Sequence, residues 1–141
     1  MKTALVVYRS RSGTTRALAE EIGRYLAGKG LEPTVLSIGD CDPARVAEAD
    51  VVLLGCWTNG LLVILQHPDQ PWIAFARDLP SFSNARVGLF TTYKLLTGSM
   101  FAKMREHLAG KTGPIGLELK SRNAHLSDAN RRELDRFLAG V

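Results

Sequence analysis

Long apolar runs are missing from this chain. None is longer than Leu61 to Leu65, far too short to cross a bilayer. Met1-Lys2-Thr3 leads into no signal peptide, because the apolar stretch after it stops at Tyr8-Arg9 with no small-residue cleavage pattern. A cytoplasmic protein without a membrane span is expected. Cysteine is scarce: Cys41 and Cys56 lack metal-ligand spacing and a nearby His, so no metal site is expected. A disulfide does not suit that compartment, and Cys56, closing an apolar stretch, reads as a small core residue. No linker, repeat or low-complexity tract divides the 141 residues, which points to one domain, 1–141, with enough chain to bury a core.

Negative charge is short in one half of the chain. Residues 1–70 hold seven Lys/Arg against eight Asp/Glu, whereas residues 71–141 hold eleven against six. The net charge of +4 therefore belongs to the second half, around Lys94, Lys103, Arg105, Lys111, Lys120, Arg122, Arg131 and Arg132. Such a surface suits an acidic partner or an anionic substrate. No nucleic-acid motif and no interleaving of basic and aromatic residues is present, so nucleic acid is not expected.

What is present is a polar turn, Ser10-Arg11-Ser12-Gly13-Thr14-Thr15, set between an apolar strand pattern (Thr3 to Tyr8) and a helical stripe (Leu18, Ile22, Tyr25, Leu26). The first backbone N–H groups of a helix have no intrahelical partner, and the helix dipole favours negative charge there. Hydroxyls at Ser10, Ser12, Thr14 and Thr15 can donate to phosphate oxygens, and Gly13 lets the backbone close around them. The Gly-Lys-Ser/Thr ending of a Walker loop and the three glycines of a dinucleotide fingerprint are both absent. The plain alternative is a turn in which Ser12 or Thr14 only caps the helix.

Further strands are expected at Thr34–Ile38, Asp50–Cys56, Ala85–Thr91 and Pro114–Leu119, the last at an edge because of its proline and alternating polar residues. Helices are expected from Pro43 (short), from Asp69 through Arg77, from Ser99 to Leu108, and after a Ser127-Asp128 cap. The stretch Trp57 to Gln70 reads mostly as loop. Regular strand–helix alternation implies an α/β fold, a doubly wound five-stranded parallel sheet in three αβα layers. With order 2-1-3-4-5, ligands bind where the winding reverses, between the ends of the first and third strands. Those ends carry Ser10–Thr15 and Trp57–Gly60.

The first turn resembles the flavodoxin phosphate loop, Ser/Thr-x-Ser/Thr-Gly-x-Thr. Gly55-Cys56-Trp57-Thr58-Asn59-Gly60 resembles the family's second loop, Gly-x-x-Thr-x-Gly, beside the flavin ring. The resemblance spans the whole chain in element order. It implies a flavodoxin-like fold, bound FMN, and electron transfer with no catalytic side chain. It also implies cofactor-binding roles for Ser10, Arg11, Ser12, Gly13, Thr14, Thr15, Trp57, Thr58, Asn59, Gly60, Thr92 and Tyr93. Gly60–Leu61 would be the peptide that rotates to accept a hydrogen bond from reduced flavin N5. Trp57 either stacks on the flavin or is a partly buried aromatic at a strand end. Tyr93, in Thr91-Thr92-Tyr93-Lys94, offers a second ring. Arg11 can neutralise the phosphate, while Arg9 points to solvent. His67 receives no role, Trp72 reads as core, and Gly98-Ser99 reads as a helix cap.

The family often has an aromatic residue where Asn59 stands and an acid where Leu61 stands. Lacking that acid, the protein should have a higher reduction potential than acidic flavodoxins. Its redox partner should carry an acidic docking surface, or be a small quinone-like acceptor. An FMN-dependent NAD(P)H or quinone oxidoreductase and a flavin-free scaffold of the same fold remain alternatives. Leu61–Leu65 is left open as a flavin cover or a homodimer interface. A receiver domain would need acids where Tyr8-Arg9 and Gly55-Cys56 stand, and a small tyrosine phosphatase a Cys in the first loop.

Overall fold

The computed structural model describes residues 1–61 and 64–141. In chain order, the first half comprises β1 (Thr3–Arg9), α1 (Thr14–Gly28), β2 (Glu32–Ser37), two 3-10 turns (Ile38–Asp40 and Pro43–Glu48) and β3 (Val51–Trp57). There follow β4 (Asn59–Leu61), β5 (Ile64–His67), α2 (Gln70–Asp78), β6 (Arg86–Thr92), α3 (Met100–Leu108), β7 (Ile115–Ser121) and α4 (Asp128–Leu138).

A strand covered on both faces must be apolar at nearly every position. β1 and β3 meet that condition and lie inside a parallel sheet ordered β2-β1-β3-β6-β7. This is the expected 2-1-3-4-5 order, with β4 and β5 standing apart from the main sheet. Alternate side chains feed two cores. Leu5, Val7, Val52 and Leu54 pack with Trp72, Phe75, Met100 and Met104 of α2 and α3. Ala4, Val6, Val51 and Leu53 pack with Leu18, Ile22 and Leu26 of α1 and with Leu134 and Phe137 of α4. Trp72 is fully buried, as expected of a core residue.

The stretch expected to be mostly loop, Trp57 to Gln70, is built differently. β4 and β5 form an antiparallel hairpin, pairing Asn59 with His67 and Leu61 with Ile64. The sequence hides it because its strands are short and the turn lacks Gly, Asn or Asp. Of the Leu61–Leu65 run, Leu62 and Val63 lie outside the described residues. Leu65 is exposed and has φ 58°, an uncommon backbone state for a bulky residue.

α2 begins at the expected Asp69 cap, whose side chain accepts from the Trp72 N–H. α4 begins with a reciprocal capping box between Ser127 and Asn130. Ser99 behaves otherwise than expected. It stands at the start of α3 but makes no side-chain cap; its hydroxyl donates across to the Gln66 carbonyl at 2.7 Å. That bond fastens the start of α3 to β5.

Candidate functional site

The carboxyl ends of β1, β3 and β6 converge on one rim of the sheet. At the first of them, Gly13 is the N-cap of α1 with φ 97°, a left-handed conformation that glycine adopts freely. A Cβ placed there would meet nothing within 4 Å, so the space in front of it is open. No side chain caps the helix, and no acid stands in its first turn. The reading in which Ser12 or Thr14 merely caps α1 is therefore not what the structure has. Ser10 shapes the turn instead, its Oγ accepting the Gly13 N–H at 3.0 Å. The Ser12 and Thr14 hydroxyls lie 3.4 Å apart at the surface.

Threonine pairs tie this turn to the other two. Thr15 Oγ1 and Thr92 Oγ1 share a buried hydrogen bond of 2.6 Å, joining the start of α1 to the end of β6. Thr58 Oγ1 and Thr91 Oγ1 are 2.8 Å apart, and the Thr58 N–H donates to the Thr92 carbonyl at 2.9 Å. Of the predicted residues, Thr15, Thr58 and Thr92 are thus directly linked. Asn59 and Gly60 lie on β4, on the far side of Thr58. Tyr93 follows Thr92 and is half-buried, with Lys120 and Arg122 at 5.8 and 5.7 Å from its ring centre.

Arginines close the near side. Arg11 lies over the Trp57 ring at 5.0 Å, so the first and second loops touch through a cation–π contact. Arg9 does not simply point to solvent; its Nε donates to Asp69 Oδ2 at 2.7 Å. The Trp57 indole N–H donates to the same oxygen at 2.7 Å. The Cys56 thiol faces Asp69 Oδ1 at 3.7 Å, and burial pushes that thiol well above its ordinary pKa, so it stays protonated and inert. Asp69 is the site residue that sequence reasoning missed. It read as a helix cap only, and its partners at Arg9 and Trp57 lie far from it along the chain.

Cations dominate this rim. Arg122 donates to the Lys94 carbonyl at 3.0 Å, and Lys94, Lys120 and Arg122 are all exposed. Leu95 and Leu96, also exposed, follow Lys94. No group of three or more His, Cys, Asp or Glu among the described residues is placed to hold a metal. No helix among them is long and apolar enough to cross a membrane.

Residues 6–132 match the sequence profile of the family described as Flavodoxin. The chain belongs to the flavodoxin family. The flavodoxin of Megasphaera elsdenii is 34% identical over 89 residues, covering 62% of this chain and 63% of that protein. The flavodoxin of Clostridium beijerinckii is 25% identical over 105 residues, covering 74% of this chain and 75% of that one. In fold, the chain is similar to oxidised flavodoxin 1 of Bacillus cereus, with TM-score 0.77 at 17% identity and 99% of each chain covered.

Flavodoxins are FMN-binding electron-transfer proteins, and this flavodoxin carries what FMN requires. An open turn at an uncapped helix start, with exposed hydroxyls, suits a phosphate. Aromatic rings at the ends of β3 and β6 suit a flat, partly apolar ring system. Family membership favours this carrier role over the NAD(P)H or quinone oxidoreductase alternative.

Proposed function

We propose that the Ser10–Thr15 turn of this FMN-binding flavodoxin holds the phosphate, with Trp57–Gly60 and Thr92–Tyr93 flanking the ring. The observation that carries the reading is the pair of threonine bonds, Thr15 to Thr92 and Thr58 to Thr91, which brings three separately predicted loops onto one rim. Bound FMN supplies the redox chemistry; the protein binds it, shields it from water and tunes its potential. Arg11 stands beside the phosphate turn and is free to neutralise an anion there without leaving the reach of Trp57.

A titration of apoprotein with FMN, followed by redox titration of the complex, tests this. Stoichiometric uptake with flavin absorbance is expected. The second-electron potential is expected to be higher than that of acidic flavodoxins, because Arg9, Arg11, Lys94, Lys120 and Arg122 surround the three loops. Failure to take up FMN would sink the reading, and a very low second-electron potential would sink the charge argument.

The electron partner on this reading is a protein with an acidic docking face. Lys94, Lys120 and Arg122 present the charge, and Leu95 and Leu96 an apolar contact beside it. Electron-transfer rates to such a partner should fall steeply as ionic strength rises through the physiological range, since salt screens exposed charges beyond about 8 Å. A rate indifferent to salt points instead to a small neutral acceptor such as a quinone. Free, buried thiols at Cys41 and Cys56 fit a reducing compartment, the cytoplasm.

A further inference from the structure

Capping α2 needs one carboxylate oxygen, and Asp69 gives one: Oδ1 accepts the Trp72 N–H at 3.3 Å. The other oxygen is engaged elsewhere. Oδ2 accepts from Arg9 Nε and from Trp57 Nε1, both at 2.7 Å, at the ends of β1 and β3. Asp69 itself is only 7% exposed. A buried carboxylate drawn to two loops of the flavin site does more than start a helix.

Its effect falls on Trp57. An indole at a strand end has two torsions to settle, and here both are constrained. Asp69 holds the ring by its N–H edge, while Arg11 covers one face at 5.0 Å. Arg9 supplies the positive charge that lets Asp69 remain ionised in a buried place, the condition for accepting two donors on one oxygen. Binding a ligand to a ring already held in place avoids the entropy of ordering it.

We propose that Asp69 is a positioning residue, holding the Trp57 indole in the orientation in which it meets the flavin ring. This rests on the reading that Trp57–Gly60 flanks that ring. Asp69→Asn is the incisive variant. Its amide oxygen can still cap α2, and its volume is unchanged, but its NH2 confronts two donors where Oδ2 accepted both.

The test uses the full chain labelled with 5-fluorotryptophan, whose only two indoles are Trp57 and Trp72. In the flavin-free D69N protein the Trp57 fluorine resonance is expected to move and broaden, while that of core Trp72 stays. Affinity for riboflavin and for FMN is expected to fall by the same factor, about three- to tenfold, because the ring contact is weakened and the phosphate contact is not. Trp57→Phe keeps an aromatic ring without the N–H, so it should lose a similar factor on its own. Adding D69N to it should then cost little more.

Three results would overturn the proposal. The Trp57 resonance could stay in place in D69N. The losses in the double variant could multiply. Finally, W57F could bind both flavins as tightly as the parent, which removes Trp57 from the ring contact and leaves the phosphate reading standing. Should D69N not fold, the W57F comparison of riboflavin with FMN still decides whether there is a ring contact for Asp69 to serve: equal losses support the proposal, and no loss ends it.

Discussion

Replacing Ser12 and Thr14 together by alanine weakens FMN binding by at least about a hundredfold and leaves riboflavin binding where it was. A hydrogen bond to a charged group contributes roughly 1.5–3 kcal/mol. Two such bonds to a phosphate therefore correspond to two or more factors of ten at about 1.4 kcal/mol each. The fold should not register the change. Ser12 is exposed, Thr14 is half-buried, and the two hydroxyls touch one another at 3.4 Å. Ser10, whose Oγ accepts the Gly13 N–H, stays and keeps the turn in shape. Riboflavin, having no phosphate, is the internal control, and the urea midpoint reports the fold. Equal losses for FMN and riboflavin would mean that the hydroxyls shape the turn rather than grip a phosphate. Unchanged FMN affinity would place the phosphate elsewhere.

That turn was legible because everything defining it is local. Strand, turn and helix start follow one another within residues 3–28, and the left-handed state of Gly13 is one that the sequence announces. The central strands were legible for a similar reason: burial on both faces demands the uninterrupted apolar composition of Val51–Val52–Leu53–Leu54. The hairpin of β4 and β5 was not, since short strands without turn residues leave little periodicity to read. Nor were the long-range polar ties. Arg9 looked solvent-bound and Asp69 looked like a cap because nothing local relates residues sixty positions apart. Ser99 fitted the pattern of a helix cap, yet Gln66 competes for its hydroxyl and wins. In each case the local signal was sound, and a tertiary partner overrode it.

Gly55→Ala should be the most damaging single methyl that can be added to the sheet. Gly55 lies on β3, in register with Phe90 of β6 and Tyr8 of β1. A Cβ built on it would come 2.1 Å from Phe90 Cε2 and 2.2 Å from Cζ, distances at which something must move. Phe90 is fully buried in the core shared with α1 and α4, so it has no empty space to turn into. Overpacking of this kind costs about 1–3 kcal/mol, occasionally more, and the upper end is expected where a rigid ring rather than a flexible chain end is struck. The urea midpoint should fall with an unchanged slope, the sign of lost stability without a changed unfolded state. FMN affinity should fall with it, because Gly55 and Phe90 set the separation of β3 and β6 just before both strands enter the site. Thr58 and Thr91 must then meet across that separation. The companion variant decides the cause: Gly55→Ala with Phe90→Leu removes the ring that the methyl strikes, and should be more stable than the sum of the two single changes implies. If the pair instead adds, the damage comes from the backbone of β3 and not from the contact with Phe90.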